Sequence, residues 1–556
     1  MGGIAGMVHF KKNFLPYKSY NALLVRDMAD SLKARGPDGG EWVGEHTALA
    51  CRYNRAGQQL PLSRIVGGYE FVLVFDGVLT GSEALYQELR RFGYRFETGN
   101  DAELLLYAYI HYGTDCARML DGMYAFCVWD SMRQQIFACR DRAGARPFYY
   151  LYQEESFLFG SAVRALFRHP AVRPEINRDS LRTVLSAGPW SQGGVFAGIE
   201  ELLPGHSLIV NRGGLRIRPY WELPGQACSE DAAEAARRLE EMLRESLQDE
   251  IRGQTPAVIL TGRPGSNLLA AMAASVSRDP IFTCSFSLKT AGRYYKPQFP
   301  QNGSDALYRE RMIEELDSHH TYCAASVQQL ADLLPAVTEN LDLPGAGLDA
   351  GALLYFCREM AREHEKLICA AGFDLLWAPA QCCTWAAAGL PELLLPAVEE
   401  TLDLAGFQPV QQYPVPALTA ALSWIDRLGA GLQIWTPFVR RELLEYVQGI
   451  PIDMRKTVFQ RIAGDYLPAD VLGRENFGWP GLYPGYYAET LKNSVLAVLE
   501  DSRAPALAFF DRDAVRNRTE QISGRVQSGE EIDWIKVLAY FLEINRWLAI
   551  YQPRLI

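Results

Sequence analysis

Short apolar runs separated by turn residues dominate roughly the first 210 residues of the chain. Residues 71–75 read Phe-Val-Leu-Val-Phe and end at Asp76-Gly77, a dipeptide typical of tight turns. Residues 136–139 and 147–151 are also apolar and flank a polar, glycine-containing stretch. The pattern predicts strand, turn and strand in each of these places.

One segment of this first half has a helical period instead. From Asp101 to Tyr112, apolar residues recur at the spacing of one helix face (Leu104, Leu105, Ala108 and Tyr109). Strands that meet helices without strict alternation indicate an α+β layer structure built on antiparallel sheets.

The second half has a different pattern. A Gly- and Pro-containing stretch at 220–225 precedes an acidic helical segment at about 231–249, and residues 256–260 then form an apolar strand that ends at Thr261-Gly262. An Ala-rich helix follows at 268–275. A buried strand that leads into a Gly-containing loop and then a helix is typical of a parallel α/β domain.

Two further apolar runs, at 281–286 and 367–371, predict core strands of the same sheet, and the chain from about 418 onward is mostly helical in pattern. We therefore divide the chain into a first domain at 1–210, a linker at 211–228 and a second domain at 229–556. A length of 556 residues fits two domains.

Composition narrows the class of protein. Hydrophobic residues make up 48% of the chain and charged residues 22%, as in globular proteins, and the net charge of −11 argues against a nucleic-acid partner. No apolar run reaches the roughly 18 residues needed to cross a bilayer, and no charged-then-apolar leader opens the chain. We expect a cytoplasmic protein with no membrane partner.

The 11 cysteines are scattered and stand mostly among apolar neighbours, as expected for buried thiols in a reducing compartment. The one adjacent pair, Cys382-Cys383, has no second pair at zinc-ligand spacing. We assign no metal to cysteine.

Two long blocks carry a resemblance to a known family. Residues 121–130 read Asp-Gly-Met-Tyr-Ala-Phe-Cys-Val-Trp-Asp, and residues 140–150 read Arg-Asp-Arg-Ala-Gly-Ala-Arg-Pro-Phe-Tyr-Tyr. Shorter motifs in the same order are Arg35-Gly36-Pro37-Asp38, Leu203-Pro204-Gly205-His206 and Pro437-Phe438. Across essentially its whole length the chain resembles the glutamine-dependent asparagine synthetases (asparagine synthetase B-like), as a divergent member.

The resemblance implies an N-terminal glutaminase-type domain of sandwiched antiparallel sheets and a C-terminal ATP-pyrophosphatase-type α/β domain. In active members, ammonia released in the first domain passes through an internal tunnel. It then attacks an aspartyl-adenylate that the second domain forms with ATP and magnesium. The resemblance also implies a homodimer or a partnership with an active paralogue.

The residues expected to hydrolyse glutamine are changed in this chain. The family begins Met-Cys-Gly-Ile-Ala-Gly and uses the cysteine thiolate as nucleophile, whereas this chain has Gly2, which has no side chain. The family's oxyanion-hole Asn-Gly falls on Asp76-Gly77, and an ionised carboxylate repels an oxyanion. The following Glu is Val78, and the His-x-Arg that binds the substrate carboxylate falls on Cys51-Arg52-Tyr53.

Only Asp101, at the position that binds the substrate amine, still fits the glutamine pocket. The same residue also suits the N-cap of the helix that it opens. The coordinated loss predicts that this chain has no catalytic residue for glutamine hydrolysis, because losing a nucleophile alone costs roughly 10⁶-fold in rate in a serine protease.

The nucleotide site is changed in a similar way. The family's pyrophosphate loop, Ser-Gly-Gly-x-Asp-Ser, falls on residues 261–266, where Thr261, Gly262 and Ser266 preserve an anion-binding shape at a helix N-terminus. Gly265 replaces the magnesium-binding Asp, and Pro264 removes a backbone donor. Arg263 either supplies positive charge in place of magnesium, or fills the pocket or faces solvent.

A second signature, Ser-Gly-Glu-Gly-Ala-Asp-Glu, retains Asp374 as a weak magnesium ligand but has Ala371 and Leu375 for its two Glu. The lysine that faces the adenylate in relatives is Asn476, and Glu475 precedes it. Relatives place acid-rich substrate contacts in the region where this chain has an irregular loop, at 291–301. ATP and magnesium are therefore expected as cofactors only if some synthetase activity survives.

Three functions remain open. The first is a degenerate homologue that acts as a non-catalytic binding or assembly partner. The second is an ATP-dependent amide-forming ligase that uses an amine other than ammonia, similar to the β-lactam synthetases and lasso-peptide cyclases. The third is a ligand sensor that binds glutamine at Asp101 or a nucleotide at Thr261-Gly262 without turnover.

Overall fold

The fold is seen in a computed structural model that describes most of the chain. The described residues are 2–54, 59–187, 194–225, 228–251, 255, 257–289, 305–344, 348–377, 390–402, 416–473, 488–522 and 529–556. The predicted loop at 291–301, the Cys382-Cys383 pair and the Glu475-Asn476 segment lie outside them.

Two six-stranded sheets, antiparallel throughout, form the first domain, as the sequence predicts. Its strands are β1 Gly2–His9, β2 Asp38–Val43, β3 Thr47–Tyr53, β4 Leu62–Val66, β5 Tyr69–Thr80, β6 Asp121–Asp130, β7 Gln135–Arg140, β8 Tyr149–Gln153, β9 Ser156–Gly160, β11 Ile199–Glu201, β12 His206–Asn211 and β13 Gly214–Pro219; the short β10 is Glu175–Ile176. The sheet orders are β11-β8-β9-β1-β3-β2 and β13-β12-β7-β6-β5-β4.

Within the described part of this domain, α-helices accompany the sheets. They are α1 Lys18–Asp30, α2 Glu83–Arg91, α3 Asp101–Tyr112, α4 Cys116–Met119, α5 Val163–Leu166 and α6 Arg178–Ala187. The predicted helix at 101–112 is confirmed at both ends.

The turn predicted at Asp76-Gly77 is wrong, because β5 runs straight through this dipeptide. Asp76 pairs with Ala125, and Gly77 pairs with Tyr124. Glycine is required here by close approach: a Cβ on Gly77 would lie 2.2 Å from the carbonyl oxygen of Met123 on β6.

The side chains of β1 point alternately into two apolar cores, one on each face of the sheet. Ile4 and Val8 pack into the cluster between the two sheets, together with Phe75 and Phe126. Ala5 and its neighbours on the opposite face join a second cluster that includes α1 and the helices at the C-terminal end of the chain. Because successive side chains of a strand point to opposite faces, the first sheet is covered on both sides.

A five-stranded parallel sheet lies at the centre of the second domain, again as predicted. Its strands are β14 Ala257–Ile259, β15 Phe282–Leu288, β16 His319–Ala325, β17 Lys366–Ile368 and β18 Gln433–Trp435, in the order β16-β15-β14-β17-β18. The sequence pattern predicts β14, β15 and β17 but not the edge strands β16 and β18.

The helices of the second domain pack around this sheet. They are α7 Ala232–Ile251, α8 Pro264–Val276, α9 Asp305–Leu316, α10 Val327–Ala331, α11 Leu334–Leu341, α12 Leu348–Met360, α13 Asp374–Trp377, α14 Pro396–Leu402, α15 Pro416–Leu428, α16 Arg441–Gly449, α17 Ile452–Gly464, α18 Ala469–Leu472, α19 Ala488–Glu500, α20 Arg512–Gln521 and α21 Gly529–Tyr551. Helix α8 begins four residues before its predicted start at 268, because Pro264 suits the first turn of a helix.

The two domains share an extensive contact. Thr419 of α15 donates to the carbonyl oxygen of Ala143 at 2.8 Å, and Tyr540 of α21 donates to that of Val184 at 2.8 Å. The final strand, β19 Arg554–Leu555, pairs with β10 of the first domain. Among the described helices, none combines the length and apolar character required of a bilayer-spanning segment.

Candidate functional site

The first candidate site lies where β1 begins. Gly2 pairs with Tyr53 of β3, and its amide N–H donates to Oδ1 of Asp76 at 2.9 Å. A Cβ on Gly2 would lie 2.5 Å from the backbone carbonyl oxygen of Arg52 and 3.6 Å from Asp76 Oδ1. A side chain at position 2 would therefore require the backbone of β3 to move.

Asp76 is buried and is paired with an arginine. The Nη2 atom of Arg35 donates to Oδ2 of Asp76 at 2.7 Å, and the Nε atom of Arg35 donates to the carbonyl oxygen of Gly2. Arg35 thus occupies the space beside Gly2 and Asp76. Both oxygens of the Asp76 carboxylate accept hydrogen bonds within this pocket.

A second acid–base pair completes this cluster from the other domain. Arg35 donates to both oxygens of Asp426 on α15, at 2.7 and 2.9 Å, and Arg146 also donates to Asp426. Burial acts to raise the pKa of Asp426, but the charges of Arg35 and Arg146 outweigh burial and lower this pKa below its usual range. Two arginines and two aspartates make the cluster neutral.

Asp101 lies on the other side of Gly77. Its Oδ2 accepts the amide N–H of Leu79 at 3.0 Å, and Asp101 is the first residue of α3. The N-cap interpretation of Asp101 is wrong, because Asn100 is the N-cap and accepts the N–H of Glu103 at 2.9 Å. The structure therefore places Gly2 and Asp76 in direct contact and ties Asp101 to the strand two residues beyond Gly77.

Cys51 lies on β3 and pairs with Ile4, close to the start of β1. Burial raises the pKa of Cys51 well above its usual range, and the nearby carboxylates of Asp76 and Glu41 act in the same direction. Because the thiolate is the reactive form, the raised pKa disfavours reactivity at Cys51.

The second candidate site is the loop between β14 and α8. The hydroxyls of Thr261 and Ser266 lie 2.8 Å apart, and the N–H of Thr261 donates to Ser266 Oγ at 3.1 Å. Ser266 Oγ in turn donates to the carbonyl oxygen of Arg263 at 3.1 Å. The hydroxyls expected to bind phosphate are thus bonded to one another and to the loop.

Backbone geometry of this loop depends on Gly262 and Pro264. Gly262 has φ +86°, and a Cβ there would lie 2.0 Å from the carbonyl oxygen of Asp305, at the start of α9. Arg263 is the N-cap of α8, is mostly buried, and lies 3.8 Å (Nε to Oδ2) from the Asp305 carboxylate. The arginine charge is therefore matched by an acid on the neighbouring helix.

An aromatic residue fills the space at the expected magnesium-binding position. A Cβ on Gly265 would lie 2.8 Å from the Cβ of Phe373. Phe373 is buried and packs edge-to-face on Phe438, with ring centroids 5.0 Å apart. A carboxylate at position 265 would have to displace this aromatic pair.

Asp374, the predicted magnesium ligand, is the first residue of the short helix α13. Its side chain lies outside the described part of the structure. No group of three or more His, Cys, Asp or Glu side chains that could hold a metal ion occurs among the described residues.

A polar group of residues that the sequence analysis missed lies on strands β15 and β16 of the parallel sheet. His320 on β16 contacts the hydroxyls of Thr283 (Nδ1, 2.8 Å) and Ser285 (Nε2, 2.9 Å) on β15. Burial lowers the pKa of His320 to about 4, and the charge of Arg309 acts in the same direction. The ring is therefore neutral near pH 7.

Sequence reasoning also missed the roles of Arg35, Arg146 and Asp426. Arg35 and Arg146 stand inside motifs that carry the family resemblance, but their partner is far away along the chain. The available signal for Asp426 is its place next to Ile425 and four residues after Leu422, on a face of α15 that is otherwise apolar.

Comparisons with known proteins agree with this two-domain arrangement. The family model for a glutamine amidotransferase domain matches residues 1–221, and the model for asparagine synthase matches residues 238–369 and 421–549. The chain belongs to the glutamine-dependent asparagine synthetase family.

Relatives of this family member differ in how much of the chain they match. Asparagine synthetase [glutamine-hydrolyzing] 3 of Bacillus subtilis (strain 168) is 27% identical over 99% of both chains. A putative asparagine synthetase [glutamine-hydrolyzing] 2 of Methanocaldococcus jannaschii is 25% identical over 54% of this chain and 56% of its own. Amidase chry2 of Gibberella zeae is 29% identical over 44% of this chain and 37% of its own.

Proposed function

We propose that this asparagine synthetase homologue no longer carries out the family reaction and acts as a non-catalytic binding or assembly partner. The observation that carries the proposal is the hydrogen bonding of the Asp76 carboxylate. Its two carboxylate oxygens accept from Gly2 and Arg35, in the pocket where glutamine hydrolysis would need a nucleophile and an oxyanion donor. A carboxylate accepts hydrogen bonds, so it does not stabilise an oxyanion.

The loop of the second domain supports the same proposal. The hydroxyls of Thr261 and Ser266 are hydrogen-bonded to each other. Phe373 lies against Gly265, where a magnesium-binding carboxylate would need space. Pro264 offers no N–H to a phosphate. In both places, residues that handle charge in the family are replaced by residues that cannot do so, whereas the described apolar residues around them are buried.

We further propose a cytoplasmic location and a partner that is a second copy of the chain or an active paralogue. All nine cysteines in the described ranges are free thiols, which suits a reducing compartment. The match to the B. subtilis relative over 99% of both chains supports a paralogue of similar length as a candidate partner.

A turnover assay tests the proposal. The purified chain is incubated with ATP, magnesium and aspartate, with either glutamine or ammonia as nitrogen source, and asparagine and pyrophosphate are measured. The B. subtilis relative is assayed in parallel as a control for the conditions. We expect no product above the protein-free background, and asparagine formed with either nitrogen source would refute the proposal.

A second function, an amide-forming ligase that uses an amine other than ammonia, is favoured by the geometry of the β14–α8 loop. Gly262 retains a left-handed backbone, and the 13-residue helix α8 starts directly after the loop. A helix N-terminus at this place suits phosphate binding. One similar protein, chry2 of Gibberella zeae, is named an amidase rather than an asparagine synthetase.

Calorimetry separates the two functions. Tight binding of ATP with magnesium, abolished by Asp374→Ala, would favour the ligase. Absence of any heat of nucleotide binding would remove the ligase and leave the non-catalytic partner.

A further inference from the structure

The cluster of Arg35, Asp76, Arg146 and Asp426 lies at the contact between the two domains. Arg35, Asp76 and Arg146 belong to the first domain, whereas Asp426 belongs to α15 of the second domain. Each of the four residues is at most 4% exposed. A side chain of the second domain therefore lies in the same buried cluster as Asp76, the residue at the expected oxyanion-hole position.

All four carboxylate oxygens of the cluster accept hydrogen bonds. Asp76 accepts from the Gly2 amide and from Arg35, and Asp426 accepts from Arg35 on both oxygens and from Arg146 on one. Arg35 is bidentate toward Asp426, which is the geometry of strong, direction-dependent ion pairs. One guanidinium thus joins the acids of the two domains.

Apolar side chains surround part of the cluster. A void large enough for about one water molecule lies beside Arg146 and Asp426, and its other lining residues are Met123, Ala145, Leu422, Ile425 and Ile434. Within α15, the hydroxyl of Thr419 adds a further bond to the first domain at Ala143. Charges in such a setting are costly to leave unpaired.

We propose that this four-residue cluster is an interdomain lock, which holds the two domains in one orientation and makes them unfold as one unit. Replacing a buried ion pair by apolar residues is often neutral, but removing one partner leaves an uncompensated buried charge. The lock therefore has its largest effect when its charge balance is broken. It is a property of the domain contact and does not rest on the proposed function.

The lock determines how a substitution at position 76 would affect the charge balance. Asn at this position, as in the family's Asn-Gly, would be neutral in this chain and would leave two arginines facing one aspartate. The change that restores the oxyanion-hole residue therefore also breaks the charge balance of the lock. Position 76 therefore belongs both to the expected oxyanion hole and to the lock.

Differential scanning calorimetry of the full-length chain tests the lock. We expect one cooperative transition for the unaltered protein. For Asp426→Asn we expect a midpoint lower by at least about 5 °C and separate transitions for the two domains. Limited proteolysis should then cleave faster between Trp221 and Ala232.

Two further variants make the test specific. Glu392→Gln removes a carboxylate from a surface pair with Arg518 (2.9 Å) whose Glu392 side chain is 57% exposed, and it should leave the transition unchanged. The double variant Asp426→Asn/Arg146→Met restores neutrality and should recover at least half of the lost midpoint. This second variant also covers the case in which Asp426→Asn alone does not fold.

Two results would refute the lock. A single transition within about 2 °C of the unaltered protein for Asp426→Asn would show that the cluster does not lock the domains. A double variant no more stable than Asp426→Asn would show that charge balance is not the cause. Either result leaves the turnover assay of the proposed function unaffected.

Discussion

A Cβ added to Gly265 would lie 2.8 Å from the Cβ of Phe373, so a side chain at position 265 requires Phe373 to shift. The Cγ of the Phe373 ring would lie 3.4 Å from the same Cβ, so a carboxylate at position 265 would also press on the ring.

Gly265→Asp is expected to destabilise the protein without restoring nucleotide use. Overpacking against Phe373 should lower the free energy of unfolding by about 1–3 kcal/mol, and burial of a carboxylate adds to this loss. Urea unfolding measures the change. Gly464→Asp is the matched control, because no atom lies within 4 Å of a Cβ there, and it should change stability by less than about 0.5 kcal/mol. Equal stability of both variants would contradict the packing argument.

Gly2→Cys is expected not to create a glutaminase. The new Cβ would lie 2.5 Å from the carbonyl oxygen of Arg52, and no oxyanion donor is supplied by Asp76. We expect a loss of about 1–3 kcal/mol in the free energy of unfolding and no glutamate released from glutamine. Gly225→Cys, at an exposed position with open space around it, controls for the added thiol. Glutamate formation by Gly2→Cys but not by Gly225→Cys would show that the pocket is still competent.

Stability should fall as the pH is lowered from about 6.5 toward 4, in part because of His320. Its pKa is lowered to about 4 in the folded protein, whereas an unfolded histidine titrates near 6.5. The neutral ring therefore stabilises the fold fully above pH 6.5, and this contribution is lost as the unfolded chain gains a proton first.

Urea unfolding at pH 7 and pH 5 checks this assignment. After discounting for the partly exposed ring, we expect His320 to account for about 1 kcal/mol of the loss between these two values. His320→Gln should lose correspondingly less over the same range. A pH dependence identical to that of the unaltered protein would contradict the assignment.

Local features of the fold were predictable where a short segment determines its own structure. Helix α3, from Asp101 to Tyr112, follows from its apolar period, and its start at Asn100-Asp101 is fixed by a local cap. Asp76-Gly77 was misjudged because the close approach of Met123 on β6, not the dipeptide itself, decides the backbone there.

From the sequence, the candidate site was predictable only as a set of family residues that this chain lacks. Family motifs indicate which residues are missing at Gly2 and Gly265, since those positions are read directly from the sequence. What replaced them depends on tertiary packing. Arg35 and Asp426 are 391 positions apart, and their pairing follows from the docking of α15 on the first domain rather than from any local pattern.

The most direct measurement of the central claim is one chromatographic time course that follows AMP from ATP and glutamate from glutamine in the same reaction. The purified full-length chain is incubated with ATP, magnesium, aspartate and glutamine, beside a protein-free blank and the B. subtilis relative. We predict that neither AMP nor glutamate rises above the blank. Production of either compound by the chain, at a rate that scales with its concentration, would contradict the account.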